Sequence, residues 1–544
     1  MLLPSLLFSC HQPNDSIEQV EVIEPVQLEG EPLTGLLLAR RISLDIRGQY
    51  LNPDEILMLQ QNTITLDELI DEWLMQSGHY QQLLSIFASM LLTKVDEFNV
   101  DHRDYFLDDE LAVDFVTSIG EETPRLMAEI AFGEQPWSEV VNSDFTMANQ
   151  LLLDIWDLEP LEHAPTPDEP WVRARYLDGR PPLGLIATNG IWWRHYTTQN
   201  NKSRARSALL TKLLVCDDHF ARAVTSSPLL DANAENLEEL VKTDPACHAC
   251  HVTLDPISAS LYGFWQHDIH DVLELEQYHP EREFEGEQDL DLQMSWYGKP
   301  LSAPADLGKA IAQDERFYTC SVSLLAERLW RRNLVDDDLG RLQELTLQFQ
   351  EGQWRYKNLF KALILSPEYQ IGYETGGDPR FQSAAKMMTV DQIASATKAL
   401  TGFEWVQGNI NLLDNDEFGF RVLMGGIDGR MVNKWASEPS SSRQLTMKRF
   451  FQMASESAIQ QLWNHPHSLD IFNSANIGQI TSTSPDFEQV LQLLQLRLVG
   501  TELTSEQLVI YKGMFAEIEQ AYGRKQAWIS ILSISLRNSN AWIY

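Results

Sequence analysis

Residues 243–265 read TDPACHACHVTLDPISASLYGFW, and inside them Cys247-His248-Ala249-Cys250-His251 forms a Cys-x-x-Cys-His run. The spacing has a chemical reason. Two thiols on one turn can each add to a vinyl group of the same porphyrin, and the residue that follows offers its imidazole to the iron. Cys247 and Cys250 are therefore candidates for thioether attachment of one haem c, and His251 for the proximal iron ligand. Two other readings stay open: a zinc site using Cys247, His248, Cys250 and His251, or a chance match in a chain with 5 Cys and 13 His. Structural zinc sites usually gather a second ligand pair. The remaining Cys216 and Cys320 are single and distant.

The flanks carry a family resemblance. Asp244-Pro245-Ala246 before the motif, and Leu254-Asp255-Pro256-Ile257 with an aromatic-rich run after it, resemble the cytochrome-c-like domain of planctomycete-type multidomain proteins. That group is also common in myxobacteria, and its other domains have no defined function. The resemblance implies that a proline carbonyl after the motif holds the proximal His, with Pro256 the matching position. Gly184 to Asn189, Lys202 to Arg206 and the run to Cys216 resemble the family's lead-in to the haem domain. Trp192, Trp193, His195 and Tyr196 lie in that lead-in, as pocket walls or as ordinary core. The family often has a Cys in Leu-Leu-x-Cys before the motif and in Phe-x-x-Cys after it. Leu213-Leu214-Val215-Cys216 and Phe317-Tyr318-Thr319-Cys320 match, so the resemblance implies a Cys216–Cys320 bridge, the alternative being two buried free thiols. For the second axial ligand, Met294 is the nearest downstream Met, in competition with His195, His267, His270 and His279.

Length and charge bound the rest. A chain of 544 residues exceeds one ordinary core. Its 44% hydrophobic residues and 15 Trp fit a folded globular protein. A net charge of -38 repels phosphate, which argues against nucleic acid. It suits a soluble surface, or one that meets a basic redox partner. Leu7-Phe8-Ser9-Cys10 resembles a lipobox, although no Lys or Arg precedes it and the apolar run is short. An acidic, Pro-containing stretch follows Cys10, as a tether would. These features lead us to expect an exported protein, lipid-anchored at Cys10 in the periplasm or at the cell surface of a bacterium. No later run is long and apolar enough to span a bilayer, which takes about 18 residues.

Helical signals recur along the chain. Leu51-Asn52-Pro53-Asp54-Glu55 predicts an N-cap with proline at the first helical position. Thr65-Leu66-Asp67-Glu68 is a capping box, and Leu66, Leu69, Ile70, Trp73 and Leu74 follow at helical spacing. Met388-Thr389-Val390-Asp391-Gln392 and Leu503-Thr504-Ser505-Glu506-Gln507 repeat the apolar-cap-x-acid start. Arg328 to Tyr369 and Arg497 to Tyr544 each read as two helices ending in an aromatic, about 45 residues a unit. Arg40-Arg41-Ile42-Ser43-Leu44-Asp45 resembles a family opening, and its charges read as core packing and helix-end pairing. Gly425-Gly426-Ile427-Asp428-Gly429, also family-like, reads as a tight turn.

The expected fold is mainly α: a multidomain helical protein with a cytochrome-c-like haem module in the middle. Boundaries fall at 1–30 (leader and tether), 31–165, 166–375 and 376–544, with the Pro-rich stretch 164–170 as the first internal break. Hydrolase and nucleotide signatures are missing. The expected function is electron transfer through one covalent haem to a redox partner the sequence does not name. The rivals are a haem-less surface interaction lipoprotein on the same scaffold and, more weakly, a haem enzyme with an open axial site.

Overall fold

The computed structural model describes residues 32–222, 241–264, 277–372, 385–473 and 475–544. Cys10, Trp265, His267 and His270 lie outside them. Helices make up 60% of the structure and strands 5%. The largest sheet among the described residues has three short antiparallel strands, Thr146–Ala148, Val172–Tyr176 and Leu158–Pro160, in that spatial order. The mainly helical expectation holds.

Local chemistry starts the helices where the sequence places them. Asn52, Thr65, Thr389 and Thr504 each accept a hydrogen bond from the backbone N–H three residues on, and the Glu or Gln side chain there accepts one from the cap residue's own N–H. Each box stabilises its helix by about 1 kcal/mol. The helix Gly35–Arg47 ends at Gly48, whose φ of 64° lets its N–H reach the carbonyl of Leu44. At the Gly-Gly-Ile-Asp-Gly turn, Gly425 and Gly429 take φ of 87° and 72°. A Cβ on Gly429 would stand 2.8 Å from the carbonyl oxygen of Lys94.

Two main cores result. One runs from Leu38 to Tyr369 and crosses the Pro-rich stretch, which turns on the surface. The other joins residues 387–544 to Leu44 and Tyr50. The helix Gly35–Arg47 serves both, with Ile42 and Ile46 facing the first core and Leu44 the second. A smaller cluster gathers Phe115, Ile119, Trp156 and Trp193.

The Arg40-Arg41…Asp45 run is a buried hub. Asp45 accepts from Tyr369 Oη (2.8 Å), Tyr544 Oη and Gln392 Nε2 (2.9 Å), and Lys386 Nζ stands at 3.2 Å. Burial alone would raise the Asp45 carboxyl, but Lys386, Arg331 and the two hydroxyls outweigh it and hold the carboxyl below its usual range. Its charge is thus partnered in the core, as sequence reading expected.

Two predictions follow from this packing. Asp45→Ala leaves Lys386 buried without its carboxylate and should cost about 3–5 kcal/mol of stability, read as a lower urea midpoint. His79 is fully buried against the Phe360 ring, with Nδ1 3.1 Å from the Ile46 carbonyl, and burial pushes its pKa down to about 4. From pH 6.5 down to 4 the unfolded chain takes up a proton that folded His79 refuses. Stability should therefore fall on acidification through that window, by about 3 kcal/mol from this residue. Denaturant titrations of His79→Gln should show a correspondingly shallower loss.

Candidate functional site

The motif opens a helix, Pro245–Ala259. Asp244 caps it, accepting from the backbone N–H of Ala246 (2.9 Å) and Cys247 (3.2 Å), and Pro245 fills the first position, where no N–H is needed. Cys247 and Cys250 are both free and half-buried, one turn apart. Burial, with the nearby Asp244 carboxylate, pushes the Cys247 thiol up, so it stays protonated near neutral pH. His248, between them, is exposed.

His251 does not meet the Pro256 carbonyl. Pro256 lies inside the same helix, one turn further on, and its carbonyl points along the axis away from His251. The side chain that can reach back across one turn is at i+4, and that residue is Asp255. His251 Nδ1 lies 2.8 Å from Asp255 Oδ1. Arg204 grips the same carboxylate from the helix Arg204–Val215, Nε to Oδ1 at 2.9 Å and Nη2 to Oδ2 at 3.1 Å. Burial favours the neutral Asp255 acid, but His251 and the Arg204 fork prevail and keep its carboxyl below the usual range. An ionised carboxylate only accepts, so the proton of neutral His251 sits on Nδ1 and the lone pair on Nε2. The ring is 23% exposed.

A second lever steadies the far end of the segment. Arg206, one residue past the Arg204-Ala205 step, is buried and donates to the carbonyls of His195 (3.0 Å) and Phe264 (2.6 Å). The helix Arg204–Val215 thus holds both the motif helix and the turn after it. It ends at Cys216, which is bonded to Cys320 with their Cα atoms 5.3 Å apart. The implied bridge is present in the structure.

The other expected residues have surroundings of their own. Met294 is 1% exposed in the larger apolar core, and the short strand Ser295–Trp296 just after it packs on the motif helix. His195 commits Nε2 to the carbonyl of Leu91 at 2.8 Å, and burial lowers its pKa to about 4. His279 faces Glu281 at 3.1 Å. Trp193 belongs to the smaller cluster, while Trp192 lies in the larger core with its centroid 6.0 Å from that of Phe264. Ile257, Leu261 and Phe264, which follow the motif, are packed into the larger core. Among the described residues, no group of three or more His, Cys, Asp and Glu is arranged to hold a metal ion. No described helix is long and apolar enough to cross a membrane.

Sequence reading missed Asp255 and Arg204 as partners of His251. The signal for Asp255 was available: once Asp244-Pro245 starts a helix, His251 and Asp255 share a face. Arg204 lies 51 residues from Asp255 in the chain, and only the fold brings it there.

Against family models, curated proteins and solved structures, the chain shows no match.

The tautomer is directly testable. Nitrogen-15 spectra of the ring should show neutral His251 protonated at Nδ1 in the native protein. Asp255→Asn should leave mixed tautomers and, by freeing Arg204, cost about 1–3 kcal/mol of stability. A single unchanged tautomer in that variant would remove Asp255 as the orienting group.

Proposed function

We propose that this chain is an exported c-type haem protein that transfers electrons through one haem joined to Cys247 and Cys250. The observation that carries this reading is the first turn and a half of the motif helix. It offers two free, half-buried thiols and, directly after them, an imidazole whose Nδ1, not its Nε2, is engaged by Asp255. This donor set fits covalent haem better than a zinc site, for which no third or fourth ligand gathers among the described residues.

Cys247 and Cys250 would each form one thioether, and His251 Nε2 would bind the iron. Asp255 sets the ring's orientation and strengthens its donor nitrogen, and Arg204 keeps Asp255 ionised. Bound there, the group supplies a one-electron iron couple. The Cys216–Cys320 bridge supports placement in an oxidising compartment. The lipobox-like Cys10, outside the described residues, supports anchoring at a bacterial membrane, and the resemblance to planctomycete-type cytochrome-c-like proteins belongs to the same reading.

The test is expression alongside c-type maturation machinery. The protein should carry haem that survives a denaturing gel, and Cys247→Ala/Cys250→Ala should lose it. A well-folded wild-type protein without covalent haem would overturn the proposal and leave the surface interaction scaffold.

A further inference from the structure

The seven residues after the helix Arg204–Val215 are tied down from several sides. Cys216 is bridged to Cys320 at one end. Asp217 accepts from Tyr297 Oη at 2.8 Å and from Arg222 Nη2 at 2.5 Å. The Arg222 side chain also contacts Cys250, so this short clamp meets the motif at its second thiol. His219 stands in the middle of it.

His219 is an unusual histidine for such a polar stretch. Its side chain is only 2% exposed, yet neither ring nitrogen makes a hydrogen bond among the described residues. The nearest carboxylate oxygen, Asp217 Oδ2, is 3.4 Å from Nε2. A buried imidazole with two unsatisfied nitrogens is destabilising, and an unfilled ligand role is one reason to carry that cost. Through Arg222, three residues further on, the segment that carries this ring reaches Cys250 of the motif. Of the donors considered from the sequence, His195 commits Nε2 to the Leu91 carbonyl, His279 turns Nδ1 to Glu281, and Met294 lies in the apolar core.

We propose that His219 is the second axial ligand of the haem iron, opposite His251, with the Cys216–Cys320 bridge and Asp217 holding it in position. This rests on the haem reading above. It assigns the axial pair as two imidazoles, which favours electron transfer over chemistry at an open iron and predicts a lower reduction potential than a His/Met pair. His219 was not singled out in the sequence, because nothing in its local pattern marks it; its burial without a hydrogen-bond partner among the described residues appears only in the fold.

The experiment uses the full chain matured with covalent haem. The wild type should give the low-spin spectrum and electron paramagnetic resonance of a bis-imidazole iron. His219→Ala should turn high-spin while keeping its covalent haem and helical circular dichroism, and added imidazole should restore the low-spin form. His219→Met should stay folded and shift the reduction potential upward. His267→Ala and His270→Ala should leave the spectrum unchanged. An unaltered low-spin spectrum in His219→Ala, or a five-coordinate wild-type iron, overturns the assignment of His219 alone. Wild type that acquires no covalent haem overturns the parent reading, and His219 with it.

Discussion

Asp45 sits where four distant parts of the chain cross. Its carboxylate lies deep in the protein and takes its partners from Tyr369, Lys386, Gln392 and Tyr544. A charge there is tolerable only when those partners arrive together, since an unpaired buried carboxylate is too costly to keep ionised. The neighbouring arginines extend the demand. Arg41 donates to the carbonyls of Tyr369 and Ile371, and Arg40 to those of Asn540 and Ala541. Pro32 bridges Ile371 and Met387 bridges Ile543 in the same antiparallel manner. The ends of the two similar helical units are therefore gripped by adjacent residues of one helix. That helix joins the two cores, and its registry fixes how they meet.

How far this was legible in the sequence depended on the range of the interaction. Capping boxes at Thr65, Thr389 and Thr504 are set by residues three apart, and their signatures predicted the observed starts. The pairing of Tyr369 and Tyr544 with one carboxylate was half visible, as two units each ending in an aromatic. What they converge on lies over 300 residues away from both. At the motif, the grouping of both thiols and His251 at the start of one helix was readable from the Cys-x-x-Cys-His spacing after Asp244-Pro245. The His251 partner was misread because the resemblance pointed to the carbonyl of Pro256, whereas here the helix continues through Pro256 to Ala259 and that carbonyl stays with the helix axis. Proline in a helix costs one backbone hydrogen bond. Packing of Leu254, Ile257 and Ala259 offsets that loss and keeps the turn helical.

That continuation has a chemical consequence. A carbonyl partner orients an imidazole without carrying net charge, whereas Asp255 brings a full negative charge to Nδ1. A carboxylate there makes Nε2 more electron-rich and stabilises the oxidised state of any metal bound to it. Arg204 moderates this by sharing the charge, so the donor strength at Nε2 is set by a three-residue chain, His251, Asp255 and Arg204. Because Arg204 and Arg206 leave one helix and hold the segment at Asp255 and at the Phe264 carbonyl, movement of that helix would alter both orientation and electrostatics together.

The charge count takes on a different meaning once the cations are located. Arg40, Arg41, Arg206, Arg443 and Arg497 are buried, and each donates to backbone carbonyls: Arg206 to His195 and Phe264, Arg443 to Met388, Arg497 to Leu51 and Ile471. A guanidinium suits this work because its several donors can satisfy more than one carbonyl while its charge persists despite burial. Buried acids, among them Asp45, Glu55, Glu122, Asp255 and Asp338, offset most of this enclosed positive charge, so the solvent-facing charge stays close to the net -38. The field at the motif depends on the cations placed beside it. Arg222, beside Cys250 and paired with Asp217, is one of these, so the clamp that positions His219 also sets the local charge over the thiols.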